Sequence, residues 1–264
     1  MIISAGRRSD IPAFHSEWLF EKLRVGSVAV SSPRNPRVVR TVSLAPDDVD
    51  CLVLWSKNPA PMLGKLCLLA PRPFYFHFTL NDYEPEIEPN VPPLAERIET
   101  FKRLSGAVGH ERVIWRYDPI LSRPGRGVEY HVERFARLAR SLSAFTGKVI
   151  ISFMDFYAKT RGAVERFSIE PMSLEEQRRV AREISSVFSD ASHAVAACAE
   201  EVDLSEYGIT SARCVDPKLV QKLSGRPVPC AKDKGQRPLC GCAQSVDISA
   251  YGTCRAGCVY CYAR

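Results

Sequence analysis

The sequence predicts an α/β protein: a full or partial parallel (β/α) barrel, TIM-like, followed by a cysteine-rich metal-binding tail. Three observations predict it. Short apolar runs alternate with amphipathic stretches over residues 1–198, the rhythm of a parallel sheet with crossover helices. Several of these runs are continuously apolar, as strands buried on both faces are. No run is followed by a G-x-G-x-x-G or Walker pattern, which counts against the second choice, an open nucleotide-binding sheet.

In order, the expected strands are Ile2–Ser4, Val28–Ser31, Cys51–Trp55, Phe74–Thr79, Arg112–Arg116, Val149–Phe153 and Ala194–Cys198. Helices are expected near 14–25, 60–69, 93–106, 129–145 and 173–188. Gly26 suits the position that closes the first helix. Ser173-Leu-Glu-Glu176 has the capping-box pattern that opens the last. Arg37–Leu44 alternates and reads as an extra hairpin strand. From about Gly208 the chain turns rich in Cys, Gly, Pro and Lys and loses periodicity. The expected division is a barrel core over 1–207 and, over 208–264, a tail folded around metal rather than a core and packed on the barrel mouth.

At 264 residues, with 45% hydrophobic and 25% charged residues, the composition is that of a globular protein. No apolar run approaches the roughly 18 residues of a membrane span. The start, Met1-Ile-Ile-Ser-Ala-Gly-Arg-Arg, lacks the basic-then-apolar order of a signal peptide. A cytoplasmic protein with no membrane partner is expected. Its ten cysteines then read as metal ligands or core residues before disulfides. The net charge of +6 is uneven: residues 222–264 carry seven basic and two acidic residues, or +5. That excess fits either a nucleic-acid footprint or compensation for anionic thiolates nearby.

The most informative stretch is Cys254-Arg-Ala-Gly-Cys258-Val-Tyr-Cys261. C-x3-C-x2-C brings three thiolates together within eight residues. Three thiolates suit three corners of a four-iron cluster, leaving one iron open to chemistry. Zinc is the alternative, since Cys240 or Cys242 could complete a set of four.

These residues resemble the signature of radical S-adenosylmethionine enzymes, C-x3-C-x-aromatic-C, with Tyr260 at the aromatic position. The string is also similar to the cluster loop of spore photoproduct lyase-like members. The resemblance implies a [4Fe-4S] cluster on Cys254, Cys258 and Cys261, and Tyr260 near the adenine of S-adenosylmethionine. It implies that the open iron chelates the cofactor's methionine moiety, and that an electron from the cluster releases a 5′-deoxyadenosyl radical. An external one-electron donor such as flavodoxin or ferredoxin is then needed. Most members carry the motif in the loop after the first barrel strand; here it closes the sequence. Over its length the chain resembles an uncharacterised bacterial family, domain of unknown function 1848, on Ile3-Ser-Ala-Gly-Arg-Arg-Ser-Asp10 and Asp247-Ile-Ser-Ala-Tyr-Gly-Thr-Cys254. That likeness supplies no activity.

Cys198, Cys214 and the pair Cys240-Gly-Cys242 are candidates for a second cluster, like the auxiliary clusters of several radical enzymes, with Cys230 a further possibility. Cys198 alone also suits a core position, and Cys51 and Cys67 are expected in the core.

In a barrel, residues just past each strand face the site. These are Arg7 and Arg8, Ser56, Lys57 and Asn58, Thr79 with Asn81, Arg116 and Asp118, Ser152 and Asp155, and Glu200. Paired arginines can hold a carboxylate or phosphate. His77, inside an apolar strand, is expected to be a satisfied core histidine. The leading expectation is a radical S-adenosylmethionine enzyme of unknown substrate. The alternative is a nucleic-acid-binding protein with a structural zinc or iron–sulfur tail, and the two meet if the substrate is a nucleic acid.

Overall fold

Eight parallel strands carry the architecture. The structure is a computed structural model and describes all residues except 33, 34, 36, 189–192 and 264. β1 (Ile2–Ala5) leads into α1 (Ile11–Phe14) and α2 (Ser16–Val25), which Gly26 closes in the left-handed conformation. β2 (Ser27–Ser31) and β3 (Val39–Ser43) pair antiparallel in a separate hairpin. The hairpin was expected, but Val28–Ser31 does not join the main sheet. Its burial alternates, with Val28 and Val30 inside and Ala29 and Ser31 outside, as in a ribbon covered on one face.

β4 (Cys51–Ser56) is followed by a kinked 3-10 run, Ala60–Leu69, where an α-helix was expected. Pro61 withholds an N–H and Lys65 is non-helical. The tighter winding leaves Cys67 exposed, which corrects its expected core position. Next come β5 (Phe74–Thr79), α3 (Leu94–Val108), β6 (Val113–Ile120), α4 (Val128–Leu142), β7 (Lys148–Phe153), α5 (Arg161–Arg166) and α6 (Leu174–Ser186). The expected Ser173–Glu176 capping box opens α6. β8 (Ala194–Ala197), β9 (Thr210–Ser211), α7 (Pro217–Ser224) and β10 (Val246–Asp247) complete the order.

The sheet runs β10-β1-β4-β5-β6-β7-β8-β9, every neighbouring pair parallel. This is a partial-barrel arrangement; the full barrel is corrected. β9 and β10 are the two edges, each only two residues long.

Side chains alternate across each strand. Ile3, Leu52, Leu54, Phe76, Phe78, Trp115 and Ile151 pack under helices, against Leu19, Phe101, Phe135 and Ile184. Ile2, Cys51, Val53, Tyr75, Ile114, Ile150 and Ala196 face the other way. That face is covered by Ala212, Val215, Val220, Val228 and Ala243. The region after residue 208 therefore supplies both edge strands and half of a hydrophobic core. The expectation that it folds around metal rather than a core is corrected.

Candidate functional site

The site grows from the loops at the C-terminal ends of β1, β4 and β5. After β1 the chain turns at Gly6, φ +127°, where an added Cβ would lie 2.7 Å from Trp55 O and 2.9 Å from Ser9 O. Only glycine admits that turn. It delivers Asp10, whose Oδ1 accepts from Ala13 N at 3.0 Å and Oδ2 from Lys57 N at 2.7 Å. One carboxylate thus caps α1 and ties the β1 loop to the β4 loop.

Arg8 holds the tail. Its Nε donates to Asp247 Oδ2 at 2.8 Å, its Nη2 to Asp247 O at 2.8 Å and its backbone N to Ser249 Oγ at 2.9 Å. From there the cysteine loop runs across the strand ends. Thr253 Oγ1 donates to Ser9 Oγ at 2.8 Å, and Val259 N to Ile87 O at 3.0 Å. Asn90 Nδ2 donates to Arg255 O at 2.9 Å, and Tyr262 Oη to Arg7 O at 3.1 Å. Gly257, φ +72°, would place a Cβ 3.1 Å from Asn90 Nδ2 and 3.2 Å from Pro89 Cγ. The residue before Cys258 is glycine because both conformation and space require it.

Cys258 is buried, and Cys254 and Cys261 are half-buried. Burial pushes the Cys258 thiol up to about 12 against the pull of Lys57, with Glu88, Cys261 and Cys254 adding to the rise. Cys261 N donates to Cys258 O at 3.2 Å, which folds the end of the loop into a tight turn. Behind them Lys57 Nζ lies 2.9 Å from Glu88 Oε1 and 5.6 Å from the Tyr260 ring centre. Tyr260 Oη donates to Glu88 Oε1 at 2.5 Å, and Arg97 Nη1 stands 3.6 Å from Oε2. Burial works to raise the Glu88 carboxyl, but Lys57, Arg97 and the Tyr260 hydroxyl hold it below its ordinary value.

A second group lies on the sheet face that the tail covers. Cys198 Sγ is 3.5 Å from Cys214 Sγ. Arg116 Nη1 donates to Cys214 Sγ at 3.0 Å while its Nε bonds Asp118 Oδ2 at 3.0 Å. Arg237 pairs with Asp155 and donates to Cys198 O at 3.1 Å. Ser152 Oγ donates to Phe153 O at 3.3 Å. Burial raises the Glu200 carboxyl to about 7, opposed by Phe153 N–H and Ser152. Trp55 bridges the two groups: Arg7 lies 5.5 Å and Arg116 5.3 Å from its ring centre, and His77 stacks on it at 4.1 Å. His77 donates from Nε2 to Cys214 O at 2.7 Å, but its buried Nδ1 lacks a hydrogen bond, so it is only half satisfied.

The structure therefore gathers Lys57 and Tyr260 with the terminal cysteines, and Arg116, Asp118, Ser152 and Asp155 with Cys198, Cys214, Cys240 and Cys242. Arg7 stands between them, its buried Nη2 without a hydrogen bond. Thr79 shares a sheet face with His77. Arg8 is engaged in holding β10. Ser56 Oγ accepts from Asn58 N at 2.9 Å and Asn58 Oδ1 from Ala60 N at 3.3 Å, so both shape the turn after β4. Cys230 is exposed.

The family model described as a domain of unknown function, DUF1848, matches residues 2–263. The chain belongs to the DUF1848 family. No curated protein matches it.

Sequence reasoning missed Glu88 and Arg97 in this DUF1848 chain. Glu88 is one of three glutamates in Glu84-Pro-Glu86-Ile-Glu88, and no local signal separates the one that turns inward. Among the described residues, no three His, Cys, Asp or Glu groups gather around a single ion position. A four-iron cube does not demand that, since each thiolate binds a different iron. The Cys254, Cys258 and Cys261 thiols, with a cation beside Cys258, suit such a cluster in donor type and number. Among the described residues, no helix is long and apolar enough to cross a membrane.

Proposed function

We propose that this chain is a radical S-adenosylmethionine enzyme holding a [4Fe-4S] cluster on Cys254, Cys258 and Cys261. One observation carries the reading: the cysteine loop sits across the C-terminal ends of parallel strands, where barrel enzymes place their chemistry. A topological relation supports it. The loop follows β10, and β10 pairs in parallel with β1 at the sheet edge. Read across the sheet, the order is strand, cysteine loop, next strand, which is the order of the resembled superfamily. The motif is terminal in sequence but first in space, as in a circular permutation.

When bound, the cluster supplies the electron that cleaves the cofactor's sulfonium. The chain's own residues set the conditions. Lys57 places a buried positive charge beside Cys258 and favours its thiolate. Glu88 holds that charge in position by ion pairing, Arg97 stands against the other oxygen of Glu88, and Tyr260 is fixed by its bond to Glu88. Arg7 stands 3.7 Å from Asp233 through Nη1, while its Nη2, without a hydrogen bond, offers a donor suited to a carboxylate. Water exclusion follows from the burial of Cys258 and Val259. An external donor such as flavodoxin or ferredoxin would deliver the electron.

Protein reconstituted anaerobically with iron and sulfide, then given S-adenosylmethionine and dithionite, should release 5′-deoxyadenosine. Cys258→Ala should release none. Undiminished release by that variant would overturn the proposal. The nucleic-acid reading draws less support, because Lys222, Arg226 and Arg237 of the basic tail are paired with Glu111, Asp50 and Asp155.

A further inference from the structure

Four thiols stand apart from the terminal loop, and their use does not depend on the reading above. Cys198 follows β8, Cys214 follows β9, and Cys240 and Cys242 flank Gly241 on the loop that covers the same sheet face. We infer that these four cysteines bind one divalent ion of the zinc class, tying the end of β8 to its cover.

Spacing selects a single ion. Cys198 Sγ and Cys214 Sγ are 3.5 Å apart. A tetrahedral zinc with bonds of about 2.3 Å holds its sulfurs roughly 3.8 Å apart. Sulfurs bound to separate irons of a cube stand much farther apart, so this spacing does not suit the second cluster expected from sequence. Cys242 extends the group, its Sγ 3.4 Å from the N of Val215, the residue after Cys214, and Cys240 lies in the same buried cluster. Among the described residues the four sulfurs do not yet surround one point. Binding one ion therefore requires the four thiols to close around it.

The surroundings are those of metal-bound sulfur. All four cysteines are buried. Core thiols need no N–H donors, yet three of these have them. Arg116 Nη1 is 3.0 Å from Cys214 Sγ, Val215 N is 3.4 Å from Cys242 Sγ, and Arg237 Nη2 is 3.8 Å from Cys198 Sγ. Such donors orient and stabilise coordinated thiolates. Four thiolates around a dication leave two negative charges. Arg116 and Arg237 face them, although each also holds a carboxylate, Asp118 and Asp155. The loop is preformed as well: Cys240 N donates to Arg237 O at 3.0 Å, and Ala243 N to Val215 O at 3.0 Å.

The test is metal analysis of the full chain purified anaerobically. Zinc should be present at about one per chain, and it should persist when Cys258→Ala removes iron from the terminal loop. The double variant Cys240→Ser, Cys242→Ser should lose the zinc and keep the iron. Cobalt exchanged into wild-type protein should show thiolate-to-cobalt charge transfer and intense tetrahedral bands, a readout that survives if the double variant fails to fold. Iron rising to about eight per chain without zinc would mean a second cluster and overturn the inference. So would a Cys198–Cys214 disulfide, or all four thiols titrating free. Loss of zinc alone leaves the radical reading intact, and loss of iron alone leaves this one intact.

Discussion

Lys57 and Glu88 form an ion pair, Nζ to Oε1 2.9 Å, in the wall behind Cys258. The Glu88 side chain is 1% exposed and the Lys57 side chain 14%. Burial opposes charge on both, yet the attraction of each for the other keeps the lysine pKa raised and the glutamate lowered.

Removing one member should therefore cost more than the pair contributes. Glu88→Gln leaves Lys57 and Arg97 buried against an amide, and should destabilise the protein by about 3–5 kcal/mol. Denaturant unfolding reads this directly. Adding Lys57→Met should restore part of the loss. A Glu88→Gln protein as stable as the wild type would refute the account.

Gly6→Ala should fail for two reasons at once. Alanine at φ +127° is strained, and its methyl would meet Trp55 O at 2.7 Å. Together these should cost about 2–5 kcal/mol and displace the β1 loop that carries Asp10. A crystal structure of the variant with Asp10 still bonded to Lys57 N would contradict this.

Arg8→Ala should release the edge strand. The side chain donates to both Asp247 Oδ2 and Asp247 O, and bonds from a charged donor contribute roughly 1.5–3 kcal/mol each. Amide exchange over residues 246–263 should rise while β5–β7 stay protected. Uniform exchange across the chain would argue against a local latch.

His131 should make stability fall with acid. It is fully buried, bonded to Leu121 O and Tyr117 Oη, and burial lowers its pKa to about 4, partly offset by the bond to Leu121 O. The unfolded imidazole titrates near pH 6.5. Between these values the unfolded chain binds more protons, so stability is full above about pH 6.5 and is lost as pH falls toward 4. Glu200, raised to about 7, acts with the opposite sign, so the check is a difference. From pH 7 to pH 5 the wild type should lose about 2 kcal/mol more than His131→Gln. Parallel pH profiles would dismiss this role.

The central strands were legible because each is a continuous apolar run: Cys51–Trp55, Phe74–Thr79 and Val149–Phe153 lie within a residue of β4, β5 and β7. The edges were not. β9 and β10 are two residues long, and their pairing comes from neighbours distant in sequence. Cys67 misled because Leu66 and Leu68 flank it, and 3-10 winding turned it outward. Within the site, the local part was readable: three cysteines inside eight residues are necessarily neighbours. Glu88, Arg97 and the meeting of Cys198 with Cys214 arise only from tertiary folding.

The Arg8–Ser249 hydrogen bond spans 241 positions of sequence. Closing so long a loop adds little at equilibrium, about 0.6 kcal/mol per doubling of length, but non-local contacts are intrinsically slow to form. A chain with β4 to β7 already paired would still lack the place where Cys254, Cys258 and Cys261 come to rest. The cysteine loop thus takes its position only through β1 and β10, two strands distant in sequence.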